Sequence, residues 1–243
     1  MIVQACINGA RDAAFHPALP LTPDAMARDG AACVAAGAAE VHLHARGPDG
    51  RESLAPVAMD ATVRAVRRAC PGTLIGVSTG AWIERDDERT LAAIDGWREL
   101  PDYASVNLSE PAAPAVIERL RRRGVGVEAG LASAADAERL VALNLGGLAL
   151  RMLIEVGEQD VDAALAVVEG IENLLNRAAV RRPMLAHGCD ATVWRFVALA
   201  AERRWSTRVG LEDGKTLPSG AVAADNAAIV AAATAIFQSQ NRP

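Results

Sequence analysis

Two histidines separated by one residue, His42 and His44, stand in the run Glu-Val-His-Leu-His-Ala-Arg at positions 40–46. Side chains two apart on a β-strand point to the same face, so the two imidazoles are expected to converge on one point. A divalent cation offsets the cost of burying both rings and keeps them neutral. The pair therefore indicates a metal site; the alternative is a hydrogen-bonded histidine pair without metal.

A carboxylate to complete such a site is offered by the run Arg-Val-Gly-Leu-Glu-Asp-Gly at positions 208–214. Glu212 is the best candidate, because the last strand of a closed barrel neighbours the first; Asp213 could be the ligand instead, or Glu212 a helix-capping acid. Two histidines and one carboxylate with an open position favour zinc, although iron, manganese or cobalt would tolerate these ligands. In a regular strand Arg208 would lie about 13 Å deeper than Glu212, so a bend at Gly210 is expected. Arg208 could equally form a buried structural ion pair.

The length and composition of the chain exclude several classes of protein. The 243 residues, 51% of them hydrophobic, suffice for one large core, and a single domain over residues 1–243 is expected. The net charge of −5 and the 3% aromatic content argue against a nucleic-acid binder and favour a small-molecule ligand. The four cysteines lack paired spacing, which argues against a zinc knuckle or a disulfide framework. No signal peptide or run of about 20 apolar residues is apparent, so a cytoplasmic protein without membrane contact is expected.

Short apolar runs alternate with longer segments of helical period, which is typical of repeated βα units around a parallel sheet. Strands are predicted at 2–7, 40–44, 74–78, 104–108, 126–129, 148–154, 183–187 and 207–212. Helices are predicted at 23–36, 54–69, 90–99, 112–122, 133–143, 159–176, 191–203 and 223–240, the first of them capped by the Thr22 hydroxyl. Eight units favour an α/β fold of the (β/α)8 TIM-barrel type. The rival, an open doubly wound sheet that binds a dinucleotide, lacks its G-x-G-x-x-G turn after the first strand.

In such barrels the active site lies at the C-terminal ends of the strands, so polar residues there are the best candidates. All four histidines fall at or just beyond a predicted strand end. Ser78, Thr79 and Asn107 are suited to a substrate carboxylate or carbonyl, with loop structure as the alternative. Glu128 and Arg151 are charges on adjacent strands and are expected to pair with each other. The remaining candidates at strand ends are Asn8, Arg11, Ser109, Glu155 and His187.

Together these segments resemble the β-keto acid cleavage enzyme family. The resembling pieces span nearly the whole chain in the family's order: residues 5–10, 19–23, 41–46 with 49–51, 77–80, 104–107 and 208–213. The H-L-H-x-R and R-x-G-x-E-D motifs are fairly specific as a pair, and each other piece is weak alone.

The resemblance implies a zinc-bearing (β/α)8 barrel that cleaves a β-keto acid with acetyl-CoA, giving acetoacetate and a new acyl-CoA. It carries zinc ligation onto His42, His44 and Glu212, and a proton-abstracting dyad onto Arg208 and Asp213. Ser78 matches a substrate-contacting serine and Glu128 a functional glutamate. The family also implies a homo-oligomer.

Two departures from the family pattern concern the substrate. Arg11 stands where the typical enzyme has a glutamate, which favours an anionic substrate tail and makes Arg11 a substrate-binding candidate. The segment 111–151 is shorter than in typical members, so loops that shape the acyl-CoA entrance in those members are expected to be missing here. Two alternatives therefore stay open: a metal-dependent aldolase or lyase acting on a keto acid without CoA, and a non-catalytic barrel that binds metal and keto acid.

Overall fold

A computed structural model describes residues 1–240 of the chain. Eight parallel strands form one sheet in the order β7-β6-β5-β4-β3-β2-β1-β8. Their bounds are Val3–Cys6 (β1), Glu40–Leu43 (β2), Leu74–Ser78 (β3), Tyr103–Asn107 (β4), Gly126–Leu131 (β5), Arg151–Val156 (β6), Met184–Gly188 (β7) and Thr207–Val209 (β8).

The sheet curls round until its two outer strands meet. Ser206, just before β8, donates its N–H to Met184 O of β7 at 2.9 Å and accepts from Ala186 N at 3.0 Å. Thr207 adds a side-chain hydrogen bond from its Oγ1 to Ala186 O, at 2.9 Å. The predicted (β/α)8 barrel is therefore confirmed.

Helices follow the strands and pack on the outside of the barrel. Their bounds are Pro23–Ala35 (α1), Pro56–Ala69 (α2), Ala81–Glu84 (α3), Asp87–Gly96 (α4), Ala113–Arg122 (α5), Ala134–Ala142 (α6), Val161–Arg177 (α7), Val193–Glu202 (α8) and Asn226–Gln240 (α9). Thr22 caps α1 as predicted, because its Oγ1 accepts from Ala25 N at 3.2 Å. The short helix α3 was not predicted from the sequence. No helix in residues 1–240 is both long enough and apolar enough to cross a bilayer.

The predicted bounds of two strands were wrong by three residues at one end. Residues 146–148 form a 3-10 turn, so β6 begins at Arg151 rather than at Leu148. The strand predicted over 207–212 ends at Val209, and the chain turns at Gly210. This second difference moves Glu212 and Asp213 from a strand into a loop.

A buried polar cluster lies inside the barrel near the N-terminal ends of the strands, where Glu40, Tyr103 and Arg151 are each the first residue of a strand. Arg151 Nε donates to Glu128 Oε1 at 2.5 Å, and its NH1 group donates to Glu40 Oε1 at 3.2 Å. Gln4 Nε2 donates to Glu128 Oε1 at 3.1 Å and to Tyr103 Oη at 2.9 Å. The predicted pairing of Glu128 with Arg151 is confirmed, and both charges are compensated inside the barrel.

Candidate active site

A cavity of 340 Å³ opens at the C-terminal ends of the strands. Its position is the one at which barrels of this type carry their active sites. The lining residues are Ala10, Arg11, His42, His44, Ser78, Trp82, Ser105, Asn107, Glu155, Cys189, Arg208, Glu212 and Asp213.

Three of these residues form the predicted metal-binding cluster. His42 lies on β2, His44 follows it, and Glu212 comes from the loop after β8; their ligand atoms all lie within 4.8 Å of one another. His44 Nε2 is 3.6 Å from Glu212 Oε1. Both ring nitrogens of His42 and the second oxygen of Glu212 are buried without a hydrogen-bond partner. Because buried polar atoms are normally satisfied, this donor set fits a divalent ion.

A carboxylate outside this cluster fixes the orientation of His44. His44 Nδ1 lies 2.5 Å from Glu52 Oε1, which leaves Nε2 facing Glu212. Trp82 Nε1 donates to the other Glu52 oxygen at 3.0 Å. Burial lowers the pKa of His44, but the carboxylates of Glu212 and Glu52 outweigh it and raise that pKa to about 9.

The turn after β8 brings Glu212 back over the barrel. A Cβ atom on residue 210 would lie 1.9 Å from Cys6 O, so only glycine permits this close approach. Glu212 N then donates to Cys6 O at 3.3 Å, and its carboxylate reaches the guanidinium of Arg208 at 2.9 Å. The expected bend at Gly210 is confirmed, and it removes the depth difference that a straight strand would impose.

Arg208 serves both as an ion-pair partner and as a cavity residue. Its NH2 group donates to Glu212 Oε1 at 2.9 Å and to Glu155 Oε2 at 3.2 Å. The side chain is 3% exposed, and its Nε and NH1 groups have no partner among the described residues. Those groups can donate to an oxygen of a bound ligand.

Asp213 is buried next to a histidine. Its Oδ1 lies 3.0 Å from His187 Nδ1, whereas its Oδ2 is buried without a hydrogen-bond partner. Burial raises the pKa of Asp213 against the opposing effects of His187 and Arg208. Burial and Arg208 lower the pKa of His187, but Asp213 and Glu155 outweigh them and raise it to about 9. The free oxygen of Asp213 is therefore a proton acceptor of increased basicity inside the cavity.

The structure places some of the residues predicted for substrate binding or catalysis in the cavity and others outside it. Ser78 and Asn107 line the cavity; Ser78 Oγ accepts from Gly80 N at 3.2 Å, and Asn107 Nδ2 donates to Glu110 at 3.0 Å. Thr79 does not line it, because its buried hydroxyl donates to Ser105 O at 2.8 Å. Glu128 does not line it either, because its carboxylate is held in the cluster near the N-terminal strand ends.

Arg11 lies at the edge of the cavity. Its NH2 group pairs with Asp190 Oδ1 at 2.9 Å, and its Nε donates to Glu212 O at 3.1 Å. Its side chain is 29% exposed, so part of the guanidinium faces the opening. His16, by contrast, is buried at a distance from this cavity and contacts Ala223 O at 3.0 Å.

Several residues in the cavity or in contact with its lining received no role from the sequence. Glu155 and His187 were identified only as polar residues at strand ends, and Cys189 only as one of four cysteines without paired spacing. Glu52 lies in the loop after β2 and Trp82 in the short helix α3 after β3, where neither periodicity nor a motif marks them. The cavity therefore holds more ionisable groups than the sequence motifs indicate.

Known proteins with similar sequences cover this chain unequally. The 3-keto-5-aminohexanoate cleavage enzyme of Acetoanaerobium sticklandii is 33% identical over 95 residues, which span 39% of this chain and 35% of that protein. The 3-oxoadipate:acetyl-CoA acetyltransferase of Cupriavidus necator is 28% identical in an alignment that spans 94% of this chain and 84% of that protein.

The solved ternary complex of ObcA with a C4-CoA adduct and oxalate has the same fold. It aligns with a TM-score of 0.76 at 18% identity, over 92% of this chain and 64% of that chain. The binary complex of ObcA with oxaloacetate aligns with a TM-score of 0.75, at the same identity and coverage. The model of the family described as beta-keto acid cleavage enzyme matches residues 1–243, and the chain therefore belongs to that family.

Proposed function

We propose that this protein is a divalent-metal-dependent enzyme, with zinc as the expected ion, that cleaves a β-keto acid with acetyl-CoA to acetoacetate and a new acyl-CoA. One observation carries the proposal: the ligand cluster of His42, His44 and Glu212 shares a single cavity with Arg208 and Asp213. The names of the relatives support the reaction class, since one is an acetyl-CoA acetyltransferase acting on a 3-oxo acid.

His42, His44 and Glu212 would hold the ion, and Glu52 would orient His44 from outside the cluster. A bound divalent ion supplies Lewis-acid polarisation of the keto oxygen and a template for the substrate. The neutral state of His42 suits a ligand, because burial lowers its pKa well below the usual value.

Asp213 is proposed as the base that takes a proton from the carbon between the keto and carboxylate groups. Its Oδ2 is unpaired and its pKa is raised by burial, which increases its proton affinity. His187 holds the other oxygen at 3.0 Å and so fixes the carboxylate. Arg208 is proposed to position the substrate and to stabilise the negative charge that develops on its oxygens.

Ser78, Asn107 and Arg11 are proposed to bind the substrate, since all three line the cavity. The partly exposed guanidinium of Arg11 favours an acid whose distal end is anionic. Thr79 and Glu128 are proposed to stabilise the fold instead. The Thr79 hydroxyl donates to Ser105 O, and the Glu128 carboxylate accepts from Arg151 in the buried cluster.

The test is metal analysis of the purified protein, followed by a panel of β-keto acids with and without acetyl-CoA. About one zinc per chain and acetoacetate formation that requires acetyl-CoA would support the proposal. CoA-independent turnover would indicate the aldolase, and ligand binding without turnover would indicate the non-catalytic barrel. The homo-oligomer and the cytoplasmic location stay predictions, and light scattering tests the first of them.

Two variants separate the residue roles. Asp213→Asn should abolish turnover and retain metal, whereas the double variant His42→Ala/His44→Ala should lose the metal. Asp162→Asn, an exposed carboxylate on α7, is the matched control and should change neither. Retained turnover in Asp213→Asn would refute the base assignment.

A further inference from the structure

A second group of potential metal ligands borders the same cavity: Cys189 and Asp213 line it, and His187 is buried in contact with Asp213. His187 is on β7, Cys189 follows that strand, and Asp213 comes from the loop after β8. Their ligand atoms, one nitrogen, one sulfur and one oxygen, lie within 4.8 Å of one another. Of the four cysteines, Cys189 is the one that lines the cavity, whereas the other three are buried elsewhere in the described chain. The cluster is therefore a candidate site for a thiophilic divalent cation.

The distances within this cluster suit a tetrahedral ion. His187 Nδ1 and Asp213 Oδ1 are 3.0 Å apart. Two ligand atoms bound to zinc at about 2.0–2.1 Å lie about 3.3 Å apart at a tetrahedral angle. The side chains of His187 and Asp213 are 2% and 1% exposed, yet both ring nitrogens and one carboxylate oxygen lack a well-directed hydrogen bond. Such unsatisfied buried atoms are what an ion would satisfy.

The surroundings of His187 also match those of a metal ligand. Its second nitrogen, Nε2, lies 3.3 Å from Glu155 Oε2, and ligating histidines usually have a carboxylate at that position. Arg208 holds Glu155 in place at 3.2 Å. A backbone hydrogen bond from Asp190 N to Asp213 O, at 2.7 Å, ties together the two loops that carry the ligands. The cluster is thus positioned by the fold.

We propose that His187, Cys189 and Asp213 bind a second divalent cation of the zinc and cadmium class, and that its binding inhibits the enzyme. The inhibition follows because the cation would occupy Asp213, the proposed base. Binding at this cluster does not depend on the proposed reaction, whereas the inhibitory effect rests on it.

The second ion should bind more weakly than the first. Binding has to release the thiol proton of Cys189, which leaves through the open cavity to solvent, whereas the cluster of His42, His44 and Glu212 has no thiol to deprotonate. Burial, together with the nearby carboxylates of Asp213 and Glu155, raises the pKa of the Cys189 thiol. The site should therefore fill only after the cluster of His42, His44 and Glu212.

The experiment titrates the full chain with Cd²⁺, using equilibrium dialysis for stoichiometry and the ultraviolet charge-transfer band of a thiolate–Cd²⁺ bond for ligand identity. The wild type should bind two ions per chain, with the band developing alongside the second. Cys189→Ser should bind one ion without the band. The double variant His42→Ala/His44→Ala should bind one ion and retain the band. Cys33→Ser, which removes a thiol from α1, is the matched control and should behave as the wild type.

Inhibition is measured with Zn²⁺, comparing each variant with its own rate before excess metal is added. The wild type should lose most of its rate, and Cys189→Ser should need at least tenfold more Zn²⁺ for the same loss. One ion per wild-type chain, or a band that persists in Cys189→Ser, would overturn the site. A second ion that leaves the rate unchanged would overturn the inhibition. If no β-keto acid is turned over, the proposed function fails while stoichiometry and band still decide the site.

Discussion

Replacing Glu52 with glutamine should weaken metal binding at His42, His44 and Glu212 although Glu52 is not itself a ligand. Glu52 Oε1 lies 2.5 Å from His44 Nδ1, and its Oε2 accepts from Trp82 Nε1 at 3.0 Å. The two carboxylate oxygens of Glu52 thus accept hydrogen bonds from two different N–H donors. A glutamine of the same shape has one acceptor oxygen, so either His44 or Trp82 would face an NH₂ group.

The size of the effect follows from these contacts. Loss of a partner behind a metal-bound histidine lowers metal affinity by about 10–100-fold, or about 1.4–2.7 kcal/mol. The upper part of this range is expected here, because the hydrogen bond from His44 is to a charged oxygen and both groups are largely buried. The pKa of Glu52 supports its ionised state: burial raises that pKa, but the contacts with His44 and Trp82 leave it below its usual value.

The assay is competition for Zn²⁺ between the protein and a chromophoric chelator, with thermal unfolding as a check that each variant is folded. Glu99→Gln is the matched control, because Glu99 pairs with Arg64 at 3.0 Å on the exposed surface. Its affinity should equal that of the wild type. An affinity of Glu52→Gln within about twofold of the wild type would refute the inferred role of Glu52.

Three further substitutions test the scaffold of the site. Gly210→Ala places a Cβ atom 1.9 Å from Cys6 O, so it should lower the free energy of unfolding by about 1–3 kcal/mol and weaken metal binding, as measured by thermal melts and chelator competition. Asn226→Ala removes the oxygen that accepts from Leu211 N at 2.7 Å, so it should lower the free energy of unfolding by about 1–3 kcal/mol. Urea unfolding measures this change, and an unchanged midpoint would contradict it. Burial raises the pKa of Asp29 to about 7, so the folded state holds a proton that the unfolded state loses near pH 4. Wild-type stability should therefore fall between about pH 4 and 7, and the stability advantage of Asp29→Asn, measured by urea titration, should grow across that window.

The fold could be predicted from the sequence because each βα unit alternates two hydrophobic periods. The strand bounds were less accurate where local turn geometry overrides that pattern. Val209 and Leu211 continue an apolar alternation that favours a strand, but the close approach of Gly210 to Cys6 ends the strand at Val209. Leu148 likewise looks like strand sequence and lies in a 3-10 turn.

The candidate metal ligands could be located from the sequence because their spacing on a strand, or their place in a motif, fixes where their side chains lie. Glu52 and Trp82 could not, because a loop residue and a residue of a four-residue helix follow no hydrophobic period that would bring them to His44. Thr79 was a candidate that the structure places outside the cavity lining: its neighbour Ser78 lines the cavity, and the alternation of the strand end turns the Thr79 hydroxyl toward Ser105 O. Polarity at a strand end therefore identifies candidates, whereas the direction of the side chain selects among them.

The electrostatics of the cavity link the two clusters. Burial alone lowers a histidine pKa, as it does for His42, yet His44 and His187 each have a pKa raised to about 9. The negative potential at His44 comes mainly from Glu212, and at His187 mainly from Asp213. A potential that holds a proton on a buried imidazole also attracts a divalent cation, which brings twice the charge to the same place. The two clusters should therefore both attract cations, and the order of filling should follow the number of protons that each ion has to displace.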